Sequence, residues 1–127
     1  MTIIDLSETR RRIAIHAPAR PRILLVNPAY EVNTWTFSQA ADITHVQVAM
    51  PNLSLPTLAA LVPDRFEVHL ADENVAPLDF DEPWEVVGIT GYVTQQERIA
   101  EVAAEFRTRG RMVVIGGPFA TLSPSTV

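Results

Sequence analysis

Two residue types are missing from this chain of 127 residues: there is no cysteine, and all ten basic residues are arginine. Without cysteine there is no disulfide, no thiolate nucleophile and no cysteine-held zinc or iron–sulfur centre within the chain. Without lysine there is neither a Walker-type phosphate loop nor a lysine Schiff base. No run of about 18 apolar residues occurs, so nothing reads as membrane-spanning. Ser7 to Arg12 is polar and charged where a signal peptide needs an apolar core, which makes a cytoplasmic location the default expectation. Positive charge is scarce too. A net charge of −5 argues against nucleic acid as a partner, and Arg10-Arg11-Arg12 reads as a solvated arm.

What is present is the composition of one folded domain. Apolar residues make up 47% of the chain, and a chain of this length buries about two-thirds of its unfolded surface. Residues 1–20 read as a polar extension and residues 21–127 as the domain. Arg22 to Val26 is a continuous apolar run closed by Asn27-Pro28, the pattern of a strand buried on both faces of a parallel sheet. A long connection carrying Tyr30, Trp35 and Phe37 follows. Leu53 to Val62 is a helix, with Leu55, Leu58, Ala59 and Val62 on its inner side. Phe66 to Ala71 alternates as a second strand, and an acidic, proline-rich loop leads to a third at Glu85 to Ile89. Thr94 with Glu97 has the spacing of a capping box, and Ile99, Val102, Ala103 and Phe106 mark the core face of the helix it opens. Gly110 stops that helix, and Met112 to Ile115 forms the fourth strand, ended by Gly116-Gly117-Pro118. Strands alternating with helices imply βαβ units in a parallel sheet. The expected fold is α/β, a flavodoxin-like or Rossmann-like three-layer arrangement cut short at its C-terminus, since such sheets usually hold five or more strands.

The carboxyl ends of the strands then lie on one edge, where open parallel sheets bind ligands. Asn27-Pro28, Asp72-Glu73-Asn74, Thr90-Gly91 and Gly116-Gly117 meet there, rich in small and hydrogen-bonding residues. No nucleophile elbow, no G-x-G-x-x-G after the first strand, no aspartate pair of a phosphoacceptor and no hydroxyl-rich phosphate loop accompanies them. His69 reads as a hydrogen-bonded strand residue and His16 as exposed. His45 with Asp42 is the one histidine–carboxylate pair near the crevice, more simply a solvated loop histidine than a metal ligand.

The segment W-E-V-V-G-I-T-G-Y-V-T-Q-Q-E-R-I-A-E-V-A-A-E-F-R-T-R-G, followed by V-V-I-G-G-P-F-A-T, resembles the N-terminal cobalamin (vitamin B12)-binding domain of B12-dependent radical SAM enzymes. I-L-L-V-N-P at 23–28, P-x-L-x-L-x-x-L-A-A at 51–60, V-x-x-x-D-x-N-V-x-P-L at 68–78 and T-W-T-F at 34–37 extend the resemblance over residues 21–124. It implies a corrinoid over the carboxyl edge, its nucleotide tail entering between strand ends. Thr90, Gly91, Tyr92, Val93 and Thr94 would line the tail channel. Gly116, Gly117 and Pro118 would let the tail pass, so that a bulky residue at 117 blocks binding and spares the fold. Asn27, Pro28, Ala29, Tyr30 and Asn74 would face the corrin. The chain departs from classical B12 domains in lacking D-x-H-x-x-G, so cobalt would have no histidine from below. It departs from the enzymes in lacking C-x-x-x-C-x-x-C, so the 4Fe-4S cluster and S-adenosylmethionine would belong to a radical SAM domain elsewhere in the parent chain, a methyltransferase or cyclase. Two other readings stand beside this one. One is a domain of the same fold holding a different ligand, such as a flavin or sugar nucleotide. The other is an inert scaffold forming a homodimer through an exposed sheet edge.

Overall fold

A computed structural model of the chain describes residues 20–31 and 52–125. The Arg10-Arg11-Arg12 cluster, His16, the aromatic pair Trp35 and Phe37, and Asp42 with His45 lie outside the described residues.

Four strands form one parallel sheet: β1 (Arg22–Asn27), β2 (Glu67–Asp72), β3 (Val86–Thr90) and β4 (Met112–Gly116), in the spatial order β2-β1-β3-β4. Parallel neighbours need crossover connections. Helix α1 (Ser54–Leu61) lies in the first and α2 (Gln96–Thr108) in the third, while the acidic, proline-rich loop between β2 and β3 carries no helix. The architecture is the expected α/β arrangement.

Each strand runs one residue past its expected end. Asn27, Asp72, Thr90 and Gly116 are therefore the last paired residues: Asn27 stands opposite Asp72, and Thr90 opposite Gly116. The gain is physical. At these positions the ladder, rather than a turn, satisfies the backbone groups.

Strand alternation sends Leu24, Val26, Val87 and Ile89 to one face, where they meet Ile99, Val102, Ala103 and Phe106 of α2. These α2 positions recur at i, i+3, i+4 and i+7, and all are buried, as their spacing predicts. Burying a side chain the size of Ile99, Val102 or Phe106 is worth about 2 kcal/mol each, so this face carries most of the stability. Trp84, Phe80 and Leu78, from the loop before β3, close its margin.

The opposite face is covered only in part. Of the α1 residues, Leu55 alone is buried, and Leu58 is 43% exposed. The expected four-residue inner side of this helix is therefore incomplete, because it borders an open cleft rather than a filled core. After β4, residues Gly117–Leu122 form a short helix, α3, with Pro118 in its first turn and Phe119 buried. One other expectation fails. Thr94 does not cap α2: it is exposed, and a 3-10 turn at Val93–Gln95 precedes the helix. Gly110 does end α2, with a φ of 74°. His69 is half-buried in β2, its Nε2 2.6 Å from Glu67 Oε1.

Candidate functional site at the carboxyl edge

The aligned strand ends bring two groups of side chains together. The first is a polar lattice built on Asn27, which is 1% exposed. Its Nδ2 donates to Asp72 Oδ2 at 3.1 Å, and its Oδ1 accepts from Asn52 Nδ2 at 3.0 Å and Gln95 Nε2 at 3.3 Å. Asp72 Oδ1 in turn accepts from both nitrogens of Asn74, at 2.9 and 2.7 Å. Asn74 then grips the loop after β1: its Nδ2 donates to the Pro28 carbonyl at 3.2 Å, and its Oδ1 accepts the Tyr30 N–H at 2.9 Å. Glu73 accepts the Ala29 N–H at 2.9 Å. Of the residues expected to face a ligand, Asn27, Pro28, Ala29, Tyr30 and Asn74 are thus gathered at one place. Their backbone groups and amides are engaged internally, which fixes the loop's shape.

Charge supports the lattice. Burial alone would raise the Glu73 carboxyl, but the Arg98 guanidinium and the Ala29 N–H outweigh it and hold the group below the usual glutamate range. Arg98 binds it through Nε and Nη2 and reaches Glu101 with Nη1 at 2.7 Å; this pairing raises the arginine further. The Tyr30 hydroxyl is pushed above its ordinary value by burial first, then by nearby Tyr92 and Asp72.

The second group is made of small residues. Thr90 is buried at the tip of β3, and Gly116 faces it from β4. Gly117 has φ 84°, and a Cβ placed on it would lie 2.4 Å from Thr90 Oγ1. This overturns the expectation that a bulky residue at 117 spares the fold, since the position is closed by backbone conformation and by contact. A Cβ at Gly91 would come within 2.8 Å of Ile99 Cδ1 and 2.9 Å of Gln95 Oε1, so this glycine serves packing. Gly116 differs. A Cβ there meets nothing within 4 Å, and its φ of −139° suits any residue.

The empty direction at Gly116 belongs to a cleft of about 540 Å³ on the half-covered face. Its lining is almost wholly apolar, with Leu25, Leu58, Val114 and Gly88 along it and Thr90 near its carboxyl end. Tyr92 and Val93, just after β3, and Val75, just after β2, are exposed large side chains near the strand ends, but none of them lines the cleft. Thr94 and Pro118 are exposed. Among the described residues, no three His, Asp or Glu side chains are grouped to hold a metal ion, and no helix is long and apolar enough to cross a membrane.

Arg98 and Gln95 were not among the residues expected at this edge, and Asp72 and Glu73 were expected there as strand-end residues without a role in binding the ligand. Gln95 had a signal: it stands three residues after Tyr92 and forms the reciprocal cap there, accepting the Tyr92 N–H at 2.9 Å while its own N–H donates to the Tyr92 carbonyl at 2.9 Å. The usual signature needs serine or threonine at the first position, so it points to Thr94 instead.

The chain is similar to methyltransferases. It is 34% identical over 108 residues to an uncharacterized methyltransferase of Synechocystis sp., an alignment covering 84% of this chain and 20% of that protein. Over 74 residues it is 34% identical to a bacteriochlorophyllide d C-8(2)-methyltransferase of Chlorobaculum tepidum, covering 58% of this chain and 16% of the relative. Over 106 residues it is 28% identical to a hopanoid C-2 methylase of Rhodopseudomonas palustris, covering 81% and 20%. The chain thus spans about a fifth of the length of the curated relatives it matches. No family model matches it, and no solved structure does.

Proposed function

We propose that residues 21–127 are the cobalamin-binding domain of a B12-dependent radical SAM methyltransferase, with residues 1–20 an extension ahead of it. The observation that carries this reading is the apolar cleft that opens at Gly116 and Thr90. A large, partly apolar cofactor with an extended tail needs such a platform and such an opening. The residues present fit the group. Gly116 leaves free space where any other residue would intrude, and Thr90 offers one hydroxyl in an otherwise apolar wall.

In this reading the corrinoid, when bound, supplies the methyl group that is transferred. This chain's residues bind and orient. The Asn27 lattice holds the β1 loop rigid, the Arg98–Glu73 pair anchors that loop to α2, and the apolar cleft wall excludes water from what enters it. The 4Fe-4S cluster and S-adenosylmethionine belong to a radical SAM domain in the remainder of the parent chain. The names of two relatives, which methylate a bacteriochlorophyllide and a hopanoid, favour a methyltransferase over a cyclase.

Gly116→Phe tests the cleft. The extended backbone accepts the ring, which then fills the cleft. Expected is a protein with wild-type circular dichroism that retains no hydroxocobalamin through gel filtration, read from the visible spectrum, where the unaltered protein retains it. Equal retention by both overturns the reading, as does no retention by the unaltered protein.

A further inference from the structure

We infer that Gln95 is the positioning residue of the carboxyl edge, a latch that sets the gap between the loop after β1 and the loop after β3. The inference rests on the cofactor reading, in which the corrinoid lies over the carboxyl edge that both loops border. Gln95 is 1% exposed, a costly place for an amide unless every polar atom is matched. All are. Nε2 donates to the Pro28 carbonyl at 2.6 Å and to Asn27 Oδ1 at 3.3 Å, and Oε1 accepts the Tyr92 N–H at 2.9 Å. One side chain therefore ties the first lip to the second across 67 residues of sequence.

Two features of the local structure accommodate this amide. The 3-10 turn at Val93–Gln95 replaces a simple capped start of α2 and leaves the hydroxyl of Thr94 outside. Gly91 lacks the Cβ that would press on Gln95 Oε1. Both are compatible with an inward-pointing glutamine, and Gly91 makes room for Ile99 Cδ1 as well. An apolar side chain would fill the same space more simply, so its three hydrogen bonds are what the site requires. The lips it joins carry Tyr30 and Tyr92.

Gln95→Met keeps length and volume and removes all three bonds. Gln95→Glu keeps the acceptor for Tyr92 and turns a carboxylate toward the Pro28 carbonyl. Methylcobalamin affinity is read by visible titration, and backbone exchange at Tyr92 by amide NMR. Expected for Gln95→Met is affinity weaker by about tenfold or more and faster exchange at Tyr92, with exchange at Leu25 and Val26 in β1 unchanged. Gln95→Glu should lose affinity similarly while Tyr92 stays protected. A purely structural role would lower stability and leave the affinity of the folded fraction at the wild-type value, and that result overturns the latch. If Gln95→Met does not fold, Gln95→Glu decides by the same comparison. If the unaltered protein binds no corrinoid, the cofactor reading falls on its own, and the latch then stands or falls on Tyr92 exchange.

Discussion

Replacing Gly117 with alanine adds one methyl group at the point where α3 leaves β4, and the structure sets its cost. A non-glycine residue at a φ of 84° pays roughly 1–2 kcal/mol in backbone energy. The new Cβ would also lie 2.4 Å from Thr90 Oγ1 and 3.3 Å from the Gly91 nitrogen. Thr90 does not turn aside freely: one alternative rotamer brings its methyl group to the same place, and the other asks a buried β-branched side chain to leave its χ1 well. Crowding of this kind adds roughly 1–3 kcal/mol. The expected loss is about 3 kcal/mol, a large share of the ~5–15 kcal/mol typical of a domain. With a urea m-value of about 1.5 kcal/mol/M, the unfolding midpoint should fall by about 2 M. Thr90→Ala removes one side of the clash, so the Gly117→Ala/Thr90→Ala pair should show a coupling of about 1 kcal/mol or more, leaving the backbone cost behind. Gly116→Ala is the control. One position away, with extended backbone and open space, it should change stability by less than about 0.5 kcal/mol. A Gly117→Ala midpoint within about 0.5 M of wild type would refute the reasoning.

Two further outcomes can be measured directly. Glu73 has a folded pKa below its ordinary 4.5, so its ion pair adds stability above that value and loses it as pH falls through the lower, folded value. Urea titrations from pH 6 down to 3 should show this loss in the wild type, while Glu73→Gln, about 1 kcal/mol less stable at pH 6, should show a flatter profile. The edge-pairing reading concerns β4, whose outer side presents Met112 and Val114 without a charge, whereas β2 carries Glu67 and His69 at the other edge. If copies pair there, sizing should show concentration-dependent dimers that Val114→Lys abolishes. A wild-type protein eluting as a monomer at every concentration would end that reading.

The strands and α2 were legible because their signals are local and periodic: the I-L-L-V run of β1 and the spacing of Ile99, Val102, Ala103 and Phe106 each require one kind of element. The alignment of strand ends followed from the parallel sheet. What was not legible depended on contacts between distant segments. Nothing near residue 73 in sequence indicates that Glu73 holds the Ala29 N–H and Arg98 together, and the inward turn of Gln95 depends on the carbonyl of Pro28. The same limit explains the two glycines. Gly116 and Gly117 are indistinguishable as letters, but one opens onto space and the other rests on Thr90. Leu58 failed as a core residue because helical spacing gives a side, and not whether that side is covered.

The unequal cover of the two sheet faces separates what keeps the protein folded from what it can bind. The α2 face is sealed, and its residues are constrained by one another. The cleft face has Leu58, Val114 and Gly116 bordering space, so side chains there can be exchanged at little cost in stability. Such a surface lets mutation explore ligand shape while the fold stays fixed, and the cleft walls are where close relatives with different ligands should diverge first.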